Sequence, residues 1–178
     1  MIIKITKALD KFNIPYMIIG GQAVLFYGEP RFTRDIDITL GIDVKELDKF
    51  LEIISRLKFK PMIKNVRSFV SDTMVLPVND IPSGIRVDFI FSNSEFEKEG
   101  IKRVKKVKYN GTTIMIASLE DVVIHKMVAG RPRDIEDIVA MLLKNPEFNS
   151  RYILSWLRKF DLMLDKNLTT QFKKIRPD

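Results

Sequence analysis

The stretch IIGGQAVLFYGEPRFTRDIDITL, residues 18–40, decides how this chain is read. It runs from apolar residues into a glycine pair, through a short segment closing at Gly28, to a strand-like run that carries Asp35 and Asp37. A strand's period of two sends Ile36, Ile38 and Leu40 to one face and Asp35, Asp37 and Thr39 to the other. Carboxylates are costly to bury without partners. Two of them on one face of an otherwise apolar strand therefore imply a positively charged ligand.

Working outward, YMIIG before the glycines reads as a strand, and QAVLFYG after them as a short helix that stops at Gly28. Residues 2–12 place Ile2, Ile5, Ala8, Leu9 and Phe12 at helical spacing. Asp43 followed by Glu46 marks a helix start, with the helix running to about Leu57. Between residues 60 and 84 the signals mix: SFVSDTMVLPV reads as a strand and NDIPSG as a turn. IRVDFIF alternates again, with Ile85, Val87, Phe89 and Phe91 on one face and Arg86, Asp88 and Ile90 on the other. VKKVKYNGTTIMIA is a hairpin turning at Asn110-Gly111.

From Ser118 the pattern becomes helical. Ser118 with Asp121 forms a capping box before LEDVVIHKMVAG, which ends at Gly130. RPRD links it to IEDIVAMLLKN, closed by Pro146, and two amphipathic segments follow at about 149–163 and 166–175. The expected fold class is mixed α/β (α+β): a mixed sheet with flanking helices and a helical C-terminal part.

The 30 lysines and arginines outnumber the 23 acidic residues, for a formal charge of +7. That balance favours an anionic partner, nucleotide or nucleic acid. No cysteine is present, so disulfide and thiolate chemistry are excluded and a cytoplasmic location is expected. Lys4, Lys7, Asp10 and Lys11 interrupt the first residues in a way no signal peptide tolerates. No apolar run reaches the roughly 18 residues that a membrane span needs.

If the strands of Asp35–Asp37 and Asp88 are neighbours, three carboxylates converge and repel. A divalent cation relieves that repulsion, and magnesium prefers a few carboxylates completed by substrate phosphates and water. Gly20 and Gly21 let backbone approach a phosphate, and the helix they open points free N–H groups at it. With Arg31, Thr33 and Arg34 as further candidate contacts, these residues describe a nucleoside triphosphate site.

The order of glycine pair, RFTRDIDI and a later RVDFIF resembles the nucleotidyltransferase superfamily that includes DNA polymerase beta, over roughly residues 14–140. The spelling GGQAVLFYGEPRFTRDIDI is most similar to the AbiEii-like branch, which includes toxins of toxin–antitoxin pairs. The resemblance implies that Asp35, Asp37 and Asp88 hold two Mg2+ ions and that Gly20 and Gly21 grip the triphosphate. It also assigns roles to a helical lysine and aspartate, here Lys126 and Asp137 in HKMVAGRPRDIEDI. A catalytic core at 1–117 and a helical part at 118–178 follow as the expected organisation. The expected reaction is transfer of a nucleoside monophosphate from an NTP to an acceptor hydroxyl, with pyrophosphate released. Expected partners are the NTP, an RNA such as tRNA, and a cognate antitoxin or toxin protein.

Several of these residues also have plainer readings. The glycine pair alone is a tight strand-to-helix turn, and Asp134 is the N-cap of the following helix. His125, the one histidine, is a partly buried helix residue. Without the resemblance, Lys126 and Asp137 belong to a solvated face. The run KRVKKVK protects a sheet edge, and Val139, Leu142 and Leu143 form a core stripe. Two other functions compete: a non-catalytic antitoxin-type module, and a small-molecule enzyme of the antibiotic-modifying kind.

Overall fold

The computed structural model describes residues 1–30 and 32–177, so Arg31 lies outside the described residues. The chain divides into two units. One comprises Met1–Gly21 and Thr33–Ala117, the other Gln22–Phe32 and Ser118–Asp178.

The first unit is built on a mixed sheet of seven strands: β1 (Tyr16–Ile19), β2 (Asp35–Leu40), β3 (Phe59–Pro61), β4 (Val75–Asp80), β5 (Arg86–Phe91), β6 (Lys105–Tyr109) and β7 (Thr112–Ile116). Their order is β3-β4-β5-β2-β1-β7-β6. β2 lies inside, antiparallel to β1 and parallel to β5. A parallel pair needs a crossover. Residues 41–85 supply it, and they carry α3 and α4, defined below, as well as β3 and β4.

Helices flank this sheet. α1 (Ile2–Lys11) buries Ile5 and Leu9, as its spacing predicts. α2 (Gly20–Tyr27) begins in this unit. Asp43 caps a single 3₁₀ turn at Val44–Glu46 by accepting from the Lys45 N–H at 2.9 Å, and α3 (Leu47–Arg56) follows. Phe50 of α3 meets Phe89 and Phe91 edge-on, with ring centroids 5.0 and 5.7 Å apart. These rings and the buried Ile36, Ile38 and Leu40 form the core beneath the central strands.

Two segments depart from expectation. SFVSDT, read as strand, is part of α4 (Val66–Thr73), and the strand begins only at Val75. Met74 turns left-handed (φ 58°), and the Thr73 hydroxyl donates to Phe69 O at 2.7 Å and accepts from the Val75 N–H at 3.2 Å, which ends the helix there. A further helix, α5 (Glu95–Lys102), opens with a capping box: the Glu97 N–H donates to Ser94 Oγ, and the Ser94 N–H to Glu97 Oε2. The β6–β7 hairpin turns at Asn110 (φ 45°) and Gly111 (φ 77°), and its lysine-rich strand is the outer edge.

The second unit holds the rest of α2 with α6 (Leu119–Ala129), α7 (Pro132–Lys144), α8 (Ser150–Leu164) and α9 (Leu168–Ile175). Ser118 caps α6 by accepting from the Asp121 N–H, and Gly130 ends it at φ 64°. Asn145 Nδ2 donates to Tyr27 O at 2.9 Å and to Met141 O at 2.8 Å, the first of these joining the two sequence segments of this unit. α7 starts at Pro132, so its N-cap is Arg131. Asp134, expected to be the cap, lies three residues into the helix and accepts from the Arg131 N–H. The buried stripe of α7 is Ile138, Met141 and Leu142, while Leu143 is 63% exposed and belongs to no core. Adjacent positions on a helix point about 100° apart, so Leu142 and Leu143 cannot both face inward.

Candidate active site

Parallel pairing of β2 with β5 sets Asp37 opposite Asp88 and Asp35 opposite Arg86. Paired residues share a sheet face, and so do residues two apart along a strand. Asp35, Asp37, Asp88 and Arg86 thus occupy four corners of one patch, about 4.8 Å across the strands and 6.6 Å along them. Three corners are negative and one is positive.

The other neighbour of β2 brings the glycines. Ile19, the last residue of β1, pairs with Asp37, and Gly20 follows immediately in the left-handed region (φ 60°). A Cβ on Gly20 would fall on Asp37 Oδ2 and lie 2.7 Å from its Cγ. Only glycine satisfies both the backbone angle and this contact. The Gly21 N–H in the first turn of α2 donates to the Asp37 carboxylate. The turn and the strand carboxylate are therefore one construction.

Each carboxylate has its own environment. Asp37 is half-buried, and burial, reinforced by the charges of Asp35 and Asp88, raises its pKa to about 6 against the pull of Arg86 and the Gly21 N–H. Asp35 accepts from the Thr33 hydroxyl at 3.2 Å, which orients it. Asp88 takes both prongs of a guanidinium, from Arg86 Nε at 2.9 Å and Nη2 at 2.8 Å. Arg34 is exposed.

The second unit contains the other two candidates. Lys126 of α6 places its ammonium 2.6 Å from Asp134 Oδ1 and 2.8 Å from Asp137 Oδ2 of α7. All three residues are buried. The plainer reading of Lys126 and Asp137 as a solvated face therefore does not hold, because Asp134 and Asp137, three apart on α7, close on one cation between helices. His125 is half-buried, as expected.

Arg86 is the residue that sequence reasoning left without a role. The alternation of IRVDFIF already put it on the face of Asp88, and a like-facing Arg-x-Asp on a strand is the signal that finds it.

The donor set is made of hard oxygens, and Asp37, raised chiefly by burial and further by the charges of Asp35 and Asp88, is a carboxylate whose ionised form a cation would stabilise. Among the described residues, no three His, Asp or Glu side chains stand ready to ligate one ion. Magnesium needs no such cage: one or two carboxylates with substrate phosphates and waters suffice. The residues present fit it.

A central strand with paired carboxylates, a third on the parallel neighbour and a glycine turn beside them define a nucleotidyltransferase fold. The chain belongs to the family described as nucleotidyltransferase of unknown function (DUF6036), which matches residues 1–149. No curated protein matches it. Among solved structures, the antibiotic-resistance factor ANT(2'')-Ia is similar with a TM-score of 0.61 at 15% identity, covering 91% of each chain. An antigenic nucleotidyltransferase-like protein from Paracoccidioides brasiliensis gives 0.57 at 16%, covering 96% of this chain and 88% of that one. The lincosamide antibiotic adenylyltransferase LnuA, bound to lincomycin, gives 0.54 at 17%, covering 77% and 91%. At such identities the likeness is one of fold.

Proposed function

We propose that this protein transfers a nucleoside monophosphate from an NTP to an acceptor hydroxyl in a divalent-metal-dependent reaction, releasing pyrophosphate. The observation that carries the reading is the register that sets Asp37 against both Asp88 and the Gly20 turn. Asp35 and Asp37 would hold Mg2+, two ions being the complement the superfamily resemblance implies, with Asp88 as the third ligand. Bound there, the metal supplies charge neutralisation at the reacting phosphate and its leaving oxygens.

The chain's own residues do the rest. Gly20 and Gly21, bare of side chains, let the backbone approach the β- and γ-phosphates, a contact from the Gly21 N–H requiring it to give up Asp37, and Thr33 keeps Asp35 turned to its task. Asp88 holds or deprotonates the acceptor hydroxyl. The acceptor oxygen bonds to the α-phosphorus, the bond from that phosphorus to the bridging oxygen breaks, and pyrophosphate leaves with its electron pair. Arg34, exposed on the approach to β2, is a candidate phosphate contact, as is Arg31. A phosphate contact from Lys126 requires it to give up Asp134 or Asp137.

The acceptor we favour is RNA, with tRNA first, on the charge of +7. Arg34, Lys102 and Lys105 are exposed in the first unit, and Arg131 and Arg133 in the second. A second reading, a small hydroxyl compound, is favoured by the fold likeness to two proteins named for antibiotic resistance or antibiotic adenylylation. The AbiEii-like branch, with its toxin or antitoxin partner, rests on the residue 20–38 resemblance.

Incubation with each α-labelled NTP and Mg2+, over tRNA, total RNA and small hydroxyl compounds, tests the proposal. Label should enter one acceptor class with stoichiometric pyrophosphate, and Asp35→Asn should abolish it. No pyrophosphate with any acceptor, or undiminished transfer by the variant, refutes the reading. Binding of tRNA should weaken by about 0.7–0.9 log units per log salt for each phosphate neutralised. Absence of binding at low salt, with label on a small hydroxyl, decides for the second reading.

A further inference from the structure

The Arg86 fork consumes the carboxylate that the proposed reaction most needs free. Asp88 receives both prongs from a residue two positions before it on its own strand. The pair is unequal in exposure: the Arg86 side chain is 50% accessible and that of Asp88 only 14%. The aspartate is fixed by the sheet, whereas the guanidinium lies at the surface with room to swing. Its charge also faces Asp35, its partner across the strands, and Asp37.

Charge counting gives the fork a meaning. Three carboxylates and one guanidinium leave the patch at −2, which one divalent cation neutralises. An NTP then brings its own negative charge, and a planar guanidinium suits phosphate oxygens as well as it suits a carboxylate. We propose that Arg86 is a positioning residue that holds Asp88 in place of a cation while the protein is free of nucleotide, and that it passes to a phosphate oxygen of the NTP when substrate enters. Arg86 and a divalent cation then compete for Asp88, and the triphosphate decides the competition. This inference rests on the nucleotidyltransferase reading.

The two halves of the exchange move in opposite directions, which an inert surface pair or a merely structural one would not do. In Arg86→Gln, affinity for Mn2+ alone, followed by electron paramagnetic resonance, should rise by about fivefold, the scale of a half-exposed ion pair. Affinity for MgATP, measured by isothermal titration, should fall by about tenfold or more as a charge-assisted phosphate contact is lost. Arg86→Lys keeps the charge without the fork and should fall between. The Mn2+ gain should vanish on an Asp88→Asn background, because the competition is for that carboxylate.

Mn2+ affinity that is unchanged or lower in Arg86→Gln overturns the inference, as does a gain that survives Asp88→Asn or MgATP binding that does not weaken. Wild-type protein that binds neither Mn2+ nor MgATP removes the nucleotidyltransferase reading and this inference with it. Wild-type protein that binds both, beside a variant showing no opposed movement, removes this inference alone.

Discussion

Replacing Asp37 by asparagine should make the nucleotide-free protein more stable while destroying its chemistry. Burial and two neighbouring carboxylates move this group from 3.8 to about 6 in the folded state. Ionising it there costs about 3 kcal/mol more than in the unfolded chain. Solvent reaching the half-buried carboxylate reduces that figure, so about 2 kcal/mol is the expected gain for Asp37→Asn at pH 8. For a chain of this length the melting point rises by roughly 4–8 °C. The asparagine carbonyl can still accept from Gly21, so the turn should survive.

The pH dependence has a definite sign. Below about pH 3 the carboxyl is protonated in both states, and asparagine gains nothing. Between about 3 and 6 the unfolded chain ionises first, so wild-type stability falls as pH rises through the folded value. Above that the deficit is constant. Thermal melts of both proteins at pH 3 and pH 8 measure it directly. Mg2+ with NTP should raise the wild-type melting point by mass action and leave the variant unmoved. A variant that melts below wild type at pH 8, or gains equally at both pH values, would refute the electrostatic account of the site.

Gly20→Ala should lose about 2 kcal/mol or more and fail to bind MgATP, since its Cβ falls on Asp37 at a left-handed backbone position; wild-type melting and binding would contradict this. Lys126→Ala leaves Asp134 and Asp137 buried with no ammonium between them and should cost about 3–5 kcal/mol in urea unfolding. An unmoved midpoint with weakened MgATP binding would make Lys126 a phosphate contact instead. Phe50→Ala, which empties the ring cluster against Phe89 and Phe91, should cost about 3–5 kcal/mol without changing MgATP affinity at temperatures where the variant is folded.

The two strands of the site were readable because alternation fixes the face of every residue once one apolar side is recognised. The Asn110-Gly111 hairpin and the Ser118 cap announced themselves by turn and capping chemistry. α4 did not, because among its residues only Val70 is fully buried and its β-branched residues imitate a strand. α5 carried its signal in Ser94-x-x-Glu97, yet only Phe96 and Gly100 are buried, so no apolar stripe drew attention to it. The burial of Lys126 could not be read from spacing at all. It depends on α6 and α7 meeting so that two carboxylates reach one ammonium. The fork from Arg86 is intermediate: its face was legible, its grip on Asp88 was not.

The chain's division has a temporal consequence. Gln22–Phe32 belongs with the helices that begin at Ser118, so the second unit is written in two separated passages. The Tyr27 carbonyl meets the Asn145 amide across 118 residues of sequence. On a ribosome adding about 5–20 residues per second, that carbonyl waits roughly 6–24 s for its donor. A chain ended at residue 117 would carry the first passage without the second, leaving the carbonyls of Tyr27 and Gly28 without Asn145 and Lys144. Trimming the last third would therefore leave the segment that follows the glycine turn in sequence without the helices it belongs with.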